Sequence, residues 1–239
     1  MKVAKTQPYL FPYLGYFQLI NAVDYFGVAD DVQYIKQGWI TSNGILQNNK
    51  NSTFSFSVKK DSYEKNINQR YFTDNFDYEK KKFVKTLNQS YSKAPLFDQT
   101  IELITSILSY EERNIALFLK YQLKQICRFL EIETVFIDSD QWQLNNDDSS
   151  LDSQERLLKK LSNLSHLGTK TYINPIGGAK LYNKNNFLSK GINLKFLKMD
   201  DIIYKQFNSN FTPNLSIIDV LMFNERESVK KMLDRYQLL

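Results

Sequence analysis

A chain of 239 residues with 42% hydrophobic, 24% charged and 14% aromatic side chains, 17 Phe and 15 Tyr among them, carries enough apolar mass for one good core and excludes a solvated, unfolded polypeptide. A net charge of +5 and a pI near 9.0 admit an anionic partner, but the lysines are spread along the chain, so nucleic acid is not the expected one. One cysteine and one histidine provide neither a disulfide framework nor the usual nitrogen and sulfur ligands of zinc; no metal is expected, and without a run of about 20 apolar residues or a signal-like apolar start the protein is expected in the cytoplasm, not inserted in a membrane.

The chain opens with a short β-like run to Gln7, and Pro8-Tyr-Leu-Phe-Pro12 then forces a loop, because proline lacks the donor that a helix or a central strand requires. Phe17, Ile20 and Val23 fall at helical spacing, and Tyr25 to Ala29 reads as a second buried strand ending in Asp30-Asp31. Short strands are expected within 32–46 and at Thr53 to Val58, where Phe54, Phe56 and Val58 alternate with serines, as a small antiparallel addition to the sheet; the Asn48, Asn49 and Asn51 cluster reads as a surface loop. Residues 63–130 lack glycine and keep apolar steps of three and four, predicting a segment of three helices with a capping box at Ser109 and Glu112. Glu133 to Ile137 returns to strand, Asn145 to Ser150 is an acidic loop or helix entry, and 151–164 is a helix with Leu157, Leu161 and Leu164 on one face. Lys170 to Ile173 and Asn193 to Leu197 are strands around the Gly177-Gly178 turn, and the chain from Phe211 onward reads as helix, with Ser216 and Asp219 at capping-box spacing. Repeated β and α segments of these lengths predict one α/β domain over residues 1–239, a parallel-sheet core with helices on both faces.

Four blocks, Gln7-Pro-Tyr-Leu-Phe-Pro-Tyr-Leu-Gly-Tyr-Phe17, Asp30-Asp-Val-Gln-Tyr-Ile-Lys-Gln-Gly-Trp39, Lys170-Thr-Tyr-Ile-Asn-Pro-Ile-Gly-Gly178 and Phe211-Thr-Pro-Asn-Leu-Ser-Ile-Ile-Asp219, together resemble the WbqC-like family of bacterial proteins. The resemblance implies a role in surface-polysaccharide (O-antigen, lipopolysaccharide) biosynthesis, as a transferase adding an acyl or glycyl group to a nucleotide-linked amino sugar. It departs from the family pattern at Thr41-Ser42-Asn43, where Asn-Arg-Asn is frequent, and at Asn174-Pro175-Ile176, where Ser-Gly-Pro is frequent. The start also resembles nucleotidyltransferase-like α/β folds, with Tyr13 or Tyr16 where their His-x-Gly-His motif has a histidine.

Amide formation on an amino sugar requires a base for the amine, donors for the oxyanion and a cradle for the sugar nucleotide. Asp30 or Asp31 is the candidate base or amine anchor, with a turn cap as the alternative; on a regular strand the two point to opposite sides, so only one enters a given pocket. Gln7, Tyr9, Tyr13, Gly15 and Tyr16 on the opening loop, Lys36, Trp39 and Asn43 beyond the second strand, and Tyr172, Asn174, Gly177, Gly178, Lys180 and Tyr182 around the double-glycine turn are the candidate substrate-binding residues. Lys36 suits a phosphate and Trp39 a stacked ring. His166 lies outside the four blocks and Cys127 on an apolar helical stripe, and neither is expected in catalysis. The donor is an activated acyl or aminoacyl group, with ATP or a carrier protein as possible participants. The alternative is a non-catalytic binding protein for a nucleotide sugar, a nucleic acid or a partner ligase.

Overall fold

The computed structural model describes residues 1–138, 141, 151–207 and 210–239. β1 (Lys2–Thr6) leaves the sheet where the prolines begin, α1 (Leu14–Asn21) follows, buried on most sides, and β2 (Tyr25–Val28) returns parallel to β1 with Val3 opposite Tyr25. Later strands extend the sheet in both directions. β5 (Val135–Ile137) pairs parallel with β2, β6 (Thr171–Pro175) with the free side of β1, and β7 (Asn193–Met199) with β6. The order is β5-β2-β1-β6-β7, closed by an antiparallel edge strand, β8 (Tyr236–Leu238), that the all-helical expectation for the chain end does not contain. Strand succession thus runs outward one way from β1 through β2 to β5, then jumps across to β6 and runs the other way. That reversal between β1 and β6 is the topological switch point of a doubly wound sheet.

Alternation along β1 divides the core. Val3 packs with Tyr172, Leu194 and Phe196 beneath α5 (Ser153–Asn163) and α6 (Lys184–Leu188), whereas Ala4 packs with Phe26 and Ile173 beneath α1 and α4 (Ile115–Phe129). Helices therefore cover both faces. Leu157, Leu161 and Leu164 fill the first of these layers as their spacing predicts, each worth about 1.5–3 kcal/mol of burial. Asp152 and Glu155 start α5 with reciprocal backbone bonds of 2.8 and 3.0 Å.

Three helices, α2 (Phe76–Tyr91), α3 (Phe97–Leu108) and α4, fill the expected helical segment after a stretch from Tyr63 to Asn75 that holds one 3-10 turn, Ile67–Gln69. The Ser109 and Glu112 box does not form: Ser109 ends α3, and Asn114 caps α4 through the amide of Leu117 at 3.2 Å. β3 (Ser42–Gln47) and β4 (Lys50–Ser55) pair with each other as a separate two-stranded sheet. Asn48 and Asn49, both at positive φ (50° and 60°), form the tight turn that fixes this register, so the asparagine cluster is a hairpin tip and Val32 to Ile40 is not strand. α7 (Ile217–Phe223) and α8 (Arg226–Leu233) complete the chain, and residues 211–215 ahead of α7 are non-helical. The expected acidic loop at 145–150 lies outside the described residues.

Candidate functional site

Because β1 and β6 are parallel neighbours, the loop leaving β1 and the turn leaving β6 emerge on the same rim of the sheet. Between them opens a cleft of about 700 Å³, lined from one side by Gln7, Tyr9, Tyr13, Gly15 and Tyr16 and from the other by Asn174, Gly177, Gly178 and Tyr182. Trp39, 54% exposed, closes a third side.

The opening loop is fixed from outside itself. Phe11 adopts φ 41°, a left-handed conformation that costs an L-residue roughly 1–2 kcal/mol; three partners bond it directly and two more hold its neighbours Leu10 and Pro12. Gln122 of α4 accepts from the Phe11 amide at 2.9 Å and donates to the Tyr9 carbonyl at 3.1 Å. Asn43 of β3 donates to the carbonyls of Leu10 and Phe11 at 2.9 and 2.8 Å, and the Ser216 hydroxyl donates to Phe11 at 2.7 Å. The Trp39 carbonyl receives the Leu10 amide, and the first amide of α7, from Ile217, reaches the Pro12 carbonyl. A Cβ at Gly15 would lie 2.5 Å from the Tyr13 ring, and one at Gly178 would lie 2.0 Å from Nδ2 of Asn174 and push that amide aside.

On the floor stands Lys5, a lysine inside a central strand with 8% of its surface exposed. Its Nζ lies 3.0 Å from Oδ1 of Asp31, and Lys160 of α5 bonds the other carboxylate oxygen. Two ammoniums thus share one carboxylate. Burial lowers the Lys5 pKa from 10.5 to about 8, opposed by Asp31 and assisted by the neighbouring charge of Lys160. Burial acts to raise the Asp31 carboxyl, but the Lys5 charge and the bond from Lys160 outweigh it and hold Asp31 below its usual range. Asp31 is therefore a poor base at neutral pH, and Lys5 the better proton acceptor.

The tyrosines bring hydroxyl groups to the cleft. Burial raises Tyr9, Tyr13 and Tyr182, keeping them protonated, and their hydroxyls have no hydrogen-bond partner among the described residues. Tyr16 is committed: it is buried, packs at 5.5 Å against Tyr9, and its hydroxyl donates to the Gln7 carbonyl at 2.9 Å.

Several predicted residues sit elsewhere. Asp30 and Asp31 lie beyond the end of β2 at Val28, and they diverge: Asp30 pairs at 2.8 Å with Lys120 of α4, leaving Oδ1 buried without a partner, and does not line the cleft. Asn43 is consumed by the opening loop. Tyr172 is buried under the floor, its hydroxyl 3.2 Å from the Lys5 carbonyl. Lys180 borders a neighbouring surface depression with Asp152 and Gln154, and Lys36 lines a different cleft, 4.8 Å above the Tyr63 ring. Asp219 is not a capping partner: the Ser216 amide bonds Gly44 instead, and the buried carboxylate receives Tyr91 at 2.8 Å, Tyr204 at 2.7 Å and Gln206 at 2.7 Å. Sequence reasoning missed Lys5 and Lys160. A charged residue in an otherwise apolar central parallel strand was the available signal for the first.

The chain matches the WbqC-like protein family over residues 7–231. It belongs to that family. The matched span takes in both turns and Asp31 and leaves out Lys5. The chain is also 28% identical over 227 residues, 93% of each protein, to a Mycobacterium tuberculosis (strain ATCC 25618 / H37Rv) relative named "Uncharacterized protein Rv1507c". No solved structure matches. Among the described residues no three His, Cys, Asp or Glu side chains converge as a metal would require, and no helix is long and apolar enough to cross a membrane.

Proposed function

We propose that the protein is an N-acyltransferase that forms an amide on a nucleotide-linked amino sugar, using an activated acyl or aminoacyl donor, in surface-polysaccharide biosynthesis. The observation that carries this reading is the position of the cleft: it lies at the switch point, with a lysine of lowered pKa on its floor and unpartnered tyrosine hydroxyls on its walls.

In the reaction the sugar's amine attacks the donor's carbonyl carbon, making the C–N bond and a tetrahedral oxyanion, which collapses to the amide as the carbon's bond to the donor's leaving group breaks and that group departs. The attacking amine must lose a proton. Lys5, with about a tenth of its population neutral at pH 7, accepts it, and Asp31 holds the resulting ammonium. Tyr9, Tyr13 and Tyr182 supply hydrogen bonds to the oxyanion or to sugar hydroxyls. Trp39 gives an exposed face on which a sugar or base stacks. Asp31 acts through Lys5 and is a positioning residue.

The test is incubation with dTDP- and UDP-linked amino sugars and a panel of acyl and aminoacyl donors, with and without ATP, followed by mass spectrometry. A product heavier than the sugar nucleotide by the acyl group, lost in Lys5→Met, is expected. Saturable binding of the sugar nucleotide with no product from any donor would leave a binding protein in place of an enzyme.

A further inference from the structure

A second cleft, of about 780 Å³, lies between the β3–β4 hairpin and the stretch from Val58 to Arg70. The segment from Lys36 to Ser42 serves both clefts: Trp39 lines the first, whereas Lys36, Thr41 and Ser42 line the second. Gln37, at φ 61°, makes the turn that sends the neighbouring side chains apart.

The second cleft has an uncompensated positive charge. Lys36, Lys59, Lys60 and Arg70 face one carboxylate, Asp61, which is bridged to Lys65 at 2.7 Å. Lys59 reaches Asp74 at 3.0 Å. Arg70, Lys36 and Lys60 have no carboxylate within ion-pair distance among the described residues. Arg70 is the telling member, because it is only 3% exposed and its ion is therefore largely desolvated. Its guanidinium donates to the carbonyls of Ser62 at 2.8 Å and Lys59 at 3.0 Å, its Nε is buried with no acceptor, and its plane lies 5.0 Å from the Tyr34 ring centre. Two carbonyl bonds leave further guanidinium protons, and a carbonyl dipole does not neutralise a charge. A buried arginine is ordinarily paired directly with a carboxylate; among the described residues none bonds Arg70, and Asp61, which feels its charge across the cleft, is bonded to Lys65 instead.

We infer that this cleft is a phosphate-binding site, taking a small molecule that carries a phosphoryl or diphosphoryl group. Three unpaired cations exceed what one carboxylate's two oxygens engage, whereas a phosphoryl group presents three oxygens and matches an arginine fork. Thr53 and Ser55, opposite the cationic wall, add hydroxyl donors. The volume suits a small ligand. Lys36 thereby keeps the phosphate role its sequence suggested, at a site separate from Trp39. The inference does not depend on the amide-forming reaction.

The test is calorimetric titration of the intact protein with pyrophosphate, with orthophosphate and acetate at matched ionic strength as comparisons, and with the Arg70 Nε–H resonance followed by NMR. One site that moves the Arg70 resonance is expected, with affinity falling at least tenfold in the surface double variant Lys36→Gln/Lys60→Gln while its unfolding midpoint stays at the parent value. Arg70→Lys, which keeps charge but loses the fork, is expected to weaken binding as well. Undetectable binding at millimolar pyrophosphate, equal competition by acetate, or a double variant within twofold of the parent would overturn the inference. Loss of binding in Lys5→Met alone would put pyrophosphate in the switch-point cleft, overturning this site while leaving the proposed reaction intact. Retained pyrophosphate binding in a protein that makes no amide would do the reverse.

Discussion

Across the switch-point cleft two turns face each other, and their hydrogen bonds come from different places. The loop from Pro8 to Pro12 is held by Gln122, Asn43, Ser216, Trp39 and Ile217, all distant in sequence and most of them buried. The turn from Pro175 to Gly178 is held by its neighbours: Asn174 donates to the Pro175 carbonyl at 3.1 Å, and the amides of Ala179 and Leu181 return to Ile176 and Gly178. The difference teaches that one wall of the cleft is part of the core's polar accounting and the other is a local adjustment. Changes to the first should appear as stability, and changes to the second as ligand affinity.

The largest expected effect follows from emptying the first wall. Gln122→Ala strands the buried Phe11 amide, which costs about 1–3 kcal/mol, and also removes the part-buried bond to the Tyr9 carbonyl, so a loss of roughly 2–4 kcal/mol is expected in urea unfolding. Asn43→Ala should fall in the same range. Asn174→Ala, the corresponding cut in the second wall, should cost under about 1 kcal/mol, since its amide bond to Pro175 is only part-buried. Equal losses at the two walls would break the contrast.

That contrast also explains what was legible. The prolines announce a loop and the glycines a turn, each through its own backbone chemistry, and the β1–β6 pairing that brings them together follows from ordinary α/β topology. The partition of Asp30 from Asp31 agrees with the strand-period expectation, but β2 ends at Val28, and the two are separated by their partners, Lys120 for Asp30 and Lys5 with Lys160 for Asp31. Asn43 misled because its neighbour Trp39 lines the cleft, while its own carboxamide is spent on a loop more than 30 residues earlier, a pairing that no local pattern encodes. Asp219 misled through a correct local rule: the spacing from Ser216 fits a capping box, but the site is buried and two tyrosines and a glutamine compete for the carboxylate. Lys36 and Trp39 look like one site in sequence and part company at the left-handed Gln37.

Next in size is the floor that the two walls share. Lys5→Met should lower amide formation by about 100-fold, the usual scale for losing a general base. The rate in the parent should rise with pH through about 8, as Lys5 becomes neutral. Asp31→Asn removes the attraction that favours the ammonium, so the limb should move to lower pH; Lys160→Gln removes repulsion, and the limb should move up. Stability carries the same signature. Lys5 has a folded value of about 8 against 10.5, so between these pH values the unfolded chain binds more protons and stability should climb relative to Lys5→Met. A pH–rate profile that is flat from 7 to 9 in all three proteins would remove Lys5 from the proton transfer.

The smallest effects sharpen the comparison most, because they separate the turn's own packing from its use. A methyl at Gly178 would meet Nδ2 of Asn174, the end of a side chain that can swing away, so Gly178→Ala should unfold close to the parent and weaken sugar-nucleotide binding by about tenfold, or roughly 1.4 kcal/mol, by moving Asn174 in the cleft. At Gly177 a methyl meets nothing within 4 Å. Gly177→Ala should therefore leave the unfolding midpoint unchanged and could harm only a molecule that approaches the backbone from the cleft side. A several-fold loss of affinity at constant stability would mean that the ligand lies against this turn; unchanged affinity would mean that the turn shapes the cleft only through Asn174 and Tyr182, and that the bound sugar rests on the tyrosines of the opposite wall.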